Sequence, residues 1–166
     1  MPVRDGRYVI GLSGSAVRKR DPDNPFQLSS SHPKTYTTAF INTRLNIPEY
    51  EMAFDVKTGR FLAGDVGARL TVFKYIKGVT LAGWYSWTNT SIFTDSFNRG
   101  YHDKGVMVVF PLRLFKGSDS KTSYSYALSP WTRDVAQDID HYNTLFDLLG
   151  RNTKIYLDKD KAMMYK

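Results

Sequence analysis

Glu49-Tyr50-Glu51-Met52-Ala53-Phe54-Asp55-Val56-Lys57 alternates without a break: Tyr50, Met52, Phe54 and Val56 are apolar or aromatic, while Glu49, Glu51, Asp55 and Lys57 are charged around a central Ala53. Successive side chains of a strand point to opposite faces, so the stretch predicts a strand with one greasy and one charged face. Residues 122–129 repeat the split, with Tyr124, Tyr126 and Leu128 opposite Ser123, Ser125, Ala127 and Ser129. In 105–115 the even face carries Val106, Val108, Phe110, Leu112 and Leu114. Looser versions run through 7–17, 35–45, 64–76 and 79–88, so the period-two pattern predicts seven strands of about ten residues between residues 7 and 130.

The connections alternate in length. Segments 18–34 and 89–104 are long and polar, and 58–63 turns on Thr58-Gly59-Arg60 on the same side. The opposite side has only Asn46-Ile47-Pro48, Lys77-Gly78 and 116–121. An up-and-down sheet puts alternate connections on opposite edges, and transmembrane barrels combine short turns on one side with long loops on the other. Strands of about ten residues suit a tilted bilayer crossing better than a soluble sheet. Tyr8, Tyr36, Tyr50, Tyr75, Trp87, Phe115 and Tyr124 gather towards strand ends, as in interfacial aromatic girdles. A soluble up-and-down barrel or sandwich satisfies the same periodicity, with its apolar face buried and its polar face wet.

Composition bounds the rest. At 166 residues the chain suits a single domain spanning 1–166. It has no cysteine, which excludes disulfides, thiolate metal sites and thiol chemistry. A net charge of +7 admits anionic partners without choosing among them, and the basic residues are dispersed. A single-stranded nucleic-acid binder would gather Lys and Arg about its aromatic face, whereas here acidic residues share the alternating strands, so no nucleic-acid partner is expected. Beyond Pro130 the period changes: Val135, Ile139, Tyr142, Leu145, Phe146 and Leu149 recur at three- and four-residue steps before Gly150, predicting an amphipathic helix over 135–149. The charged tail 151–166, with Ile155-Tyr156-Leu157, reads as a short added strand or a frayed end.

Three motifs stand in order: Gly59-Arg-Phe-Leu-Ala-Gly-Asp-Val-Gly-Ala-Arg69, Asp103-Lys-Gly-Val-Met-Val-Val-Phe-Pro-Leu112, and Leu128-Ser-Pro-Trp-Thr-Arg-Asp134. This trio resembles the YjbH/GfcD family of bacterial outer-membrane proteins encoded with exopolysaccharide and capsule genes, over roughly residues 5–150. The resemblance implies an all-β fold, a partial antiparallel up-and-down transmembrane-type barrel with one C-terminal helix. It also implies a non-enzymatic role in exopolysaccharide biosynthesis or secretion. Outer-membrane lipid and extracellular polysaccharide are the expected partners, with further barrel strands or other export proteins. Family members are longer and carry an export signal; the N-terminus here lacks a basic segment followed by an apolar run, so the chain is expected to be a C-terminal portion or a split gene product.

Within that frame Glu49, Glu51, Asp55, Lys57, Asp65 and Arg69 are expected on the lumen side, since lipid does not readily accept them. Gly64 and Gly67, flanking Asp65, mark a bend or a close backbone approach. Asp103, Lys104 and Gly105 read as a loop leading into a strand. In Trp131-Thr132-Arg133-Asp134, Thr132 or Asp134 is expected to cap the following helix, with Arg133 in an ion pair. No catalytic, metal or cofactor site is expected: His32, His102 and His141 lack ligand spacing, and Gly11-Leu12-Ser13-Gly14-Ser15 lacks the last glycine of a nucleophile elbow. Glu49 and Glu51, about 7 Å apart on one strand face, are a coincidence of alternation rather than an acid/base pair. The competing assignment is a soluble β-barrel or sandwich that binds a sugar or lipid.

Overall fold

Alternation puts each strand's two faces in different surroundings, and tight turns let neighbouring strands pair in sequence order. The computed structural model describes residues 1–21, 23–24, 26–28, 35–111, 123–129, 133–139, 141, 144, 146, 149 and 152–164. Its strands are β1 (Pro2–Val3), β2 (Tyr8–Arg18), β3 (Thr35–Ile47), β4 (Met52–Arg60), β5 (Val66–Ile76), β6 (Val79–Thr88), β7 (Lys104–Pro111) and β8 (Ser123–Leu128). They form one eight-stranded antiparallel meander in the order β1 to β8. Each predicted strand is present, joined by the additional short β1. The sheet is open: β1 and β8 are its two edges, and no ladder joins them among the described residues.

Register nevertheless slants as a barrel wall requires. The row Tyr8, Leu45, Phe54, Val72, Gly83, Val106, Leu128 starts at the first residue of β2 and ends at the last residue of β8. Strands are therefore staggered steadily in one direction, the shear that tilts strands against a barrel axis.

Several expected boundaries move. The strand expected over 49–57 starts at Met52, because Pro48 opens a 3-10 turn over Pro48–Tyr50 and Glu51 takes a left-handed φ of +52°. Glu49 and Glu51 thus leave the strand face on which they were expected. The strand expected from residue 64 starts at Val66, leaving Gly64, with φ of +100°, and Asp65 in the preceding turn. β7 ends at Pro111, and 112–122, including Phe115 and the 116–121 turn, lies outside the described residues. Lys77-Gly78 forms the expected two-residue hairpin turn, both residues having positive φ.

The helix expected over 135–149 is corrected. Residues 135–139 form a turn and irregular backbone, while Phe146 and Leu149 are helical. Hydrogen bonds to the turn between β4 and β5 capture the first part instead: Leu62 N–H donates to Gln137 C=O at 2.8 Å, and Ala136 N–H to Asp65 Oδ2 at 2.8 Å. The eleven-residue helix α1 is Lys154–Met164, in the tail read as strand or frayed end. Tyr156 anchors it, fully buried, edge-on to Tyr75 and donating its hydroxyl hydrogen to Met52 C=O at 2.8 Å. A second apolar cluster, Phe40, Phe61, Val135 and Ala136, packs under the segment that follows β8.

Candidate functional site

The two faces of the sheet differ. Every buried strand residue lies on one face: Val9, Thr38, Phe40, Arg44, Asn46, Ala53, Tyr75, Ala82 and Ser86. The exposed large hydrophobic residues of β2 to β8 lie on the other, among them Ile10, Leu12, Ile41, Val56, Leu81, Val106 and Leu128. Leu12 is 82% exposed. The inner face also carries the strands' charged network.

Two adjacent inner rows build that network. Val9, Arg44, Asp55, Thr71, Trp84 and Gly105 are in register across six strands. The next row runs Gly11, Asn42, Lys57, Arg69, Ser86. Arg44 grips Asp55 with a two-pronged contact, Nε and Nη2 each donating at 2.6 Å, while Nη1 donates to Phe146 C=O at 2.8 Å. The Phe73 and Phe146 rings flank the same guanidinium. Lys57 and Arg69 face each other as like charges, which is unfavourable unless each finds an anion. Lys57 donates to Asp138 at 2.5 Å. Arg69 donates to Asp103 at 2.8 Å, to Ser86 Oγ at 3.0 Å and to Ala136 C=O at 2.5 Å. Trp84 Nε1 adds a second donor to the same Asp103 oxygen, at 2.9 Å.

Asp55, Lys57 and Arg69 therefore stand together on the inner face of the sheet, and Asp103 joins them although its motif reads as a plain loop. Asp65 is fully buried, but at the turn, where it holds Ala136. Glu49 leaves the set: Arg7 donates to it at 2.5 Å, and this bond holds its carboxyl below the usual value. Glu51 bonds Lys159 of α1, so the two glutamates form no acid/base pair. A Cβ on Gly67 would lie 2.0 Å from Trp87 C=O, confirming a close backbone approach. Gly105 is inside β7 rather than easing a turn, with the Trp84 indole lying over it. Lys104, exposed at the start of β7, sits 5.0 Å from the Tyr101 ring centroid.

Trp131 and Thr132 lie outside the described residues. Arg133 lies between two rings, 3.9 Å from the Phe97 centroid and 4.0 Å from Tyr101, and the expected ion pair is absent among the described residues. Asp134 caps no helix at 135–139; its N–H donates to Asn98 Oδ1 at 3.2 Å. His32 is also outside the described residues, and His102 lies against Ser86 C=O at 3.2 Å. His141 Nε2 is 3.2 Å from Ser15 Oγ in an exposed contact, with no carboxylate bonded to the other ring nitrogen among the described residues. No group of three or more metal-ligating side chains occurs among them either.

Arg44, Trp84, Asp138 and Phe146 escape a reading by motif. Arg44 had one signal, the even parity it shares with Tyr36, Thr38, Phe40 and Asn42. Between this network and β2 remains a cavity of about 540 Å³, its lining including Ser13, Asn42, Lys57, Asp138 and His141.

Fold and site together define an antiparallel meander that turns its charged face inward. The chain belongs to the YjbH family: the family model, described as "Exopolysaccharide biosynthesis protein YbjH", matches residues 2–151. Over 147 residues it is 28% identical to "Uncharacterized lipoprotein YjbH" of Escherichia coli (strain K12), covering 87% of this chain and 21% of that relative. The chain thus spans about a fifth of that relative's length. No solved structure matches.

Proposed function

We propose that this chain is a stretch of outer-membrane barrel wall that serves exopolysaccharide assembly or secretion without itself catalysing a reaction. One observation carries the reading: buried strand residues and the charged network share one face, while exposed large hydrophobic residues occupy the other. Lipid asks for this inversion, because its hydrocarbon solvates apolar side chains and the lumen takes the charges. β2, β4, β5 and β6, of 11, 9, 11 and 10 residues, match the length of a tilted crossing strand. No helix among the described residues is long and apolar enough to cross a membrane, a fact without bearing on strands. Closure then requires the edges β1 and β8 to be joined by strands from elsewhere, in a longer chain or a partner. The family's description supplies the exopolysaccharide context.

Expression behind an added signal peptide, followed by membrane fractionation and electrophoresis of boiled and unboiled detergent extract, tests the reading. The expected result is heat-modifiable migration from the outer-membrane fraction. Soluble, monomeric, detergent-independent protein would overturn it and favour a soluble β module that binds a sugar or lipid.

A further inference from the structure

The outer face of the described strands carries no acidic residue. Its charged side chains are Arg18, Arg60, Lys74 and Lys104, while Asp55, the acidic residue of the strands, lies inside. Arg18 ends β2, Arg60 ends β4 and Lys104 begins β7, so all three stand at the edge that carries the long connections, and all are exposed. Their heights in the ladder are ordered. Gly14, in the row of Arg60, lies four residues before Arg18 on β2. Val56, in the row of Lys104, lies four residues before Arg60 on β4. Crossing from β2 to β7 the cations thus descend about 27 Å along the strands over about 24 Å of sheet width, at ~3.4 Å per residue and ~4.8 Å per strand. That slope corresponds to a strand tilt close to the ~45° of membrane-crossing strands, so the three cations fall on one rim, level with each other about a barrel axis. Trp87, exposed on the same face near the end of β6, marks the same interface.

We propose that Arg18, Arg60 and Lys104 form a cationic rim that binds the phosphates of anionic lipid headgroups at the long-loop edge of the wall. This rests on the membrane reading above. Guanidinium forks match phosphate oxygens in a bidentate way, and the ammonium adds a point charge. The apolar belt below the rim seats the acyl chains, which distinguishes a lipid from a soluble anion.

Flotation of the full chain with phosphatidylcholine vesicles, with and without phosphatidylglycerol, tests the rim. The expected preference for anionic vesicles is about a hundredfold at low salt for three cations near the surface, and it falls as salt screens it. R18Q/R60Q/K104Q should lose most of that preference, whereas R4Q/K77Q/K161Q, with the same charge loss elsewhere, should retain it. An unchanged preference in the rim variant, or equal loss in both, overturns the rim. Equal binding to both vesicle types leaves the membrane reading standing and removes the rim; binding to neither removes both. Displacement by inorganic phosphate or by polygalacturonate would make a free anion or an acidic polysaccharide the ligand, and so overturn the lipid assignment. If the triple variant does not fold by circular dichroism, R60Q against R60K decides: loss with Gln and retention with Lys is expected, and equal behaviour overturns the proposal.

Discussion

Lys57 and Arg69 face each other across β4 and β5, and each is settled by a carboxylate from another part of the chain, Asp138 and Asp103. The pairing locates two segments at once, since burying either cation without its anion would be costly. Two strands beyond Arg69, Gly105 shows how closely the inner face is packed at that point. A Cβ there would lie 2.2 Å from the Trp84 ring and 2.6 Å from Leu128 C=O. Gly105→Ala should therefore destabilise the fold by roughly 1–3 kcal/mol, the usual cost of overpacking. In a Trp84→Ala background the same change should cost less, because the ring no longer opposes it, with Leu128 C=O still exacting part. Chemical denaturation of the four proteins of this cycle measures the coupling.

At the scale of elements, α1 packs against the sheet at the short-turn end. Its Lys159 donates to Pro48 C=O at 2.5 Å and pairs with Glu51, and its Tyr156 fills the space over Ala53 and Tyr75. Tyr156→Phe should cost about 1 kcal/mol through the lost hydroxyl bond to Met52. Tyr156→Ala should cost about 3–5 kcal/mol through the cavity it leaves. Thermal unfolding of both variants checks the order. α1 was hard to read because five of its eleven residues are charged, four of them consecutive at 158–161, and its anchor is a single aromatic ring. Conversely, the three- and four-residue spacing from Val135 to Leu149 did not make a helix of 135–139, where bonds to the Leu62 backbone and the Asp65 carboxylate compete successfully with helical ones.

For the whole molecule, the decisive property is which face is wet. If the apolar face meets lipid, a charge in its middle is penalised as a charge in hydrocarbon. Leu70→Arg, on the outer face of β5, should cost about 2–4 kcal/mol of folding stability in vesicles. Ser13→Arg, facing the cavity, should cost much less. Urea titration of vesicle-folded protein compares them, and equal costs would argue against a lipid-facing outer surface.

Strand order, strand parity and the hairpin turn at Lys77-Gly78 were legible in the chain, because period-two alternation and turn chemistry act between near neighbours. So was the inward grouping of Asp55, Lys57 and Arg69, which follows from parity alone. The departures of Glu49 and Glu51 depended on one proline and one left-handed residue, a local choice completed by Arg7 and Lys159 from distant segments. Only the tertiary structure decided that Asp103 neutralises Arg69, that Ala136 and Asp138 bond Arg69 and Lys57 on the inner face, and that α1 packs at the short-turn end. Those outcomes depend on long-range pairing of buried charges and on cavity shape, which no window of sequence contains.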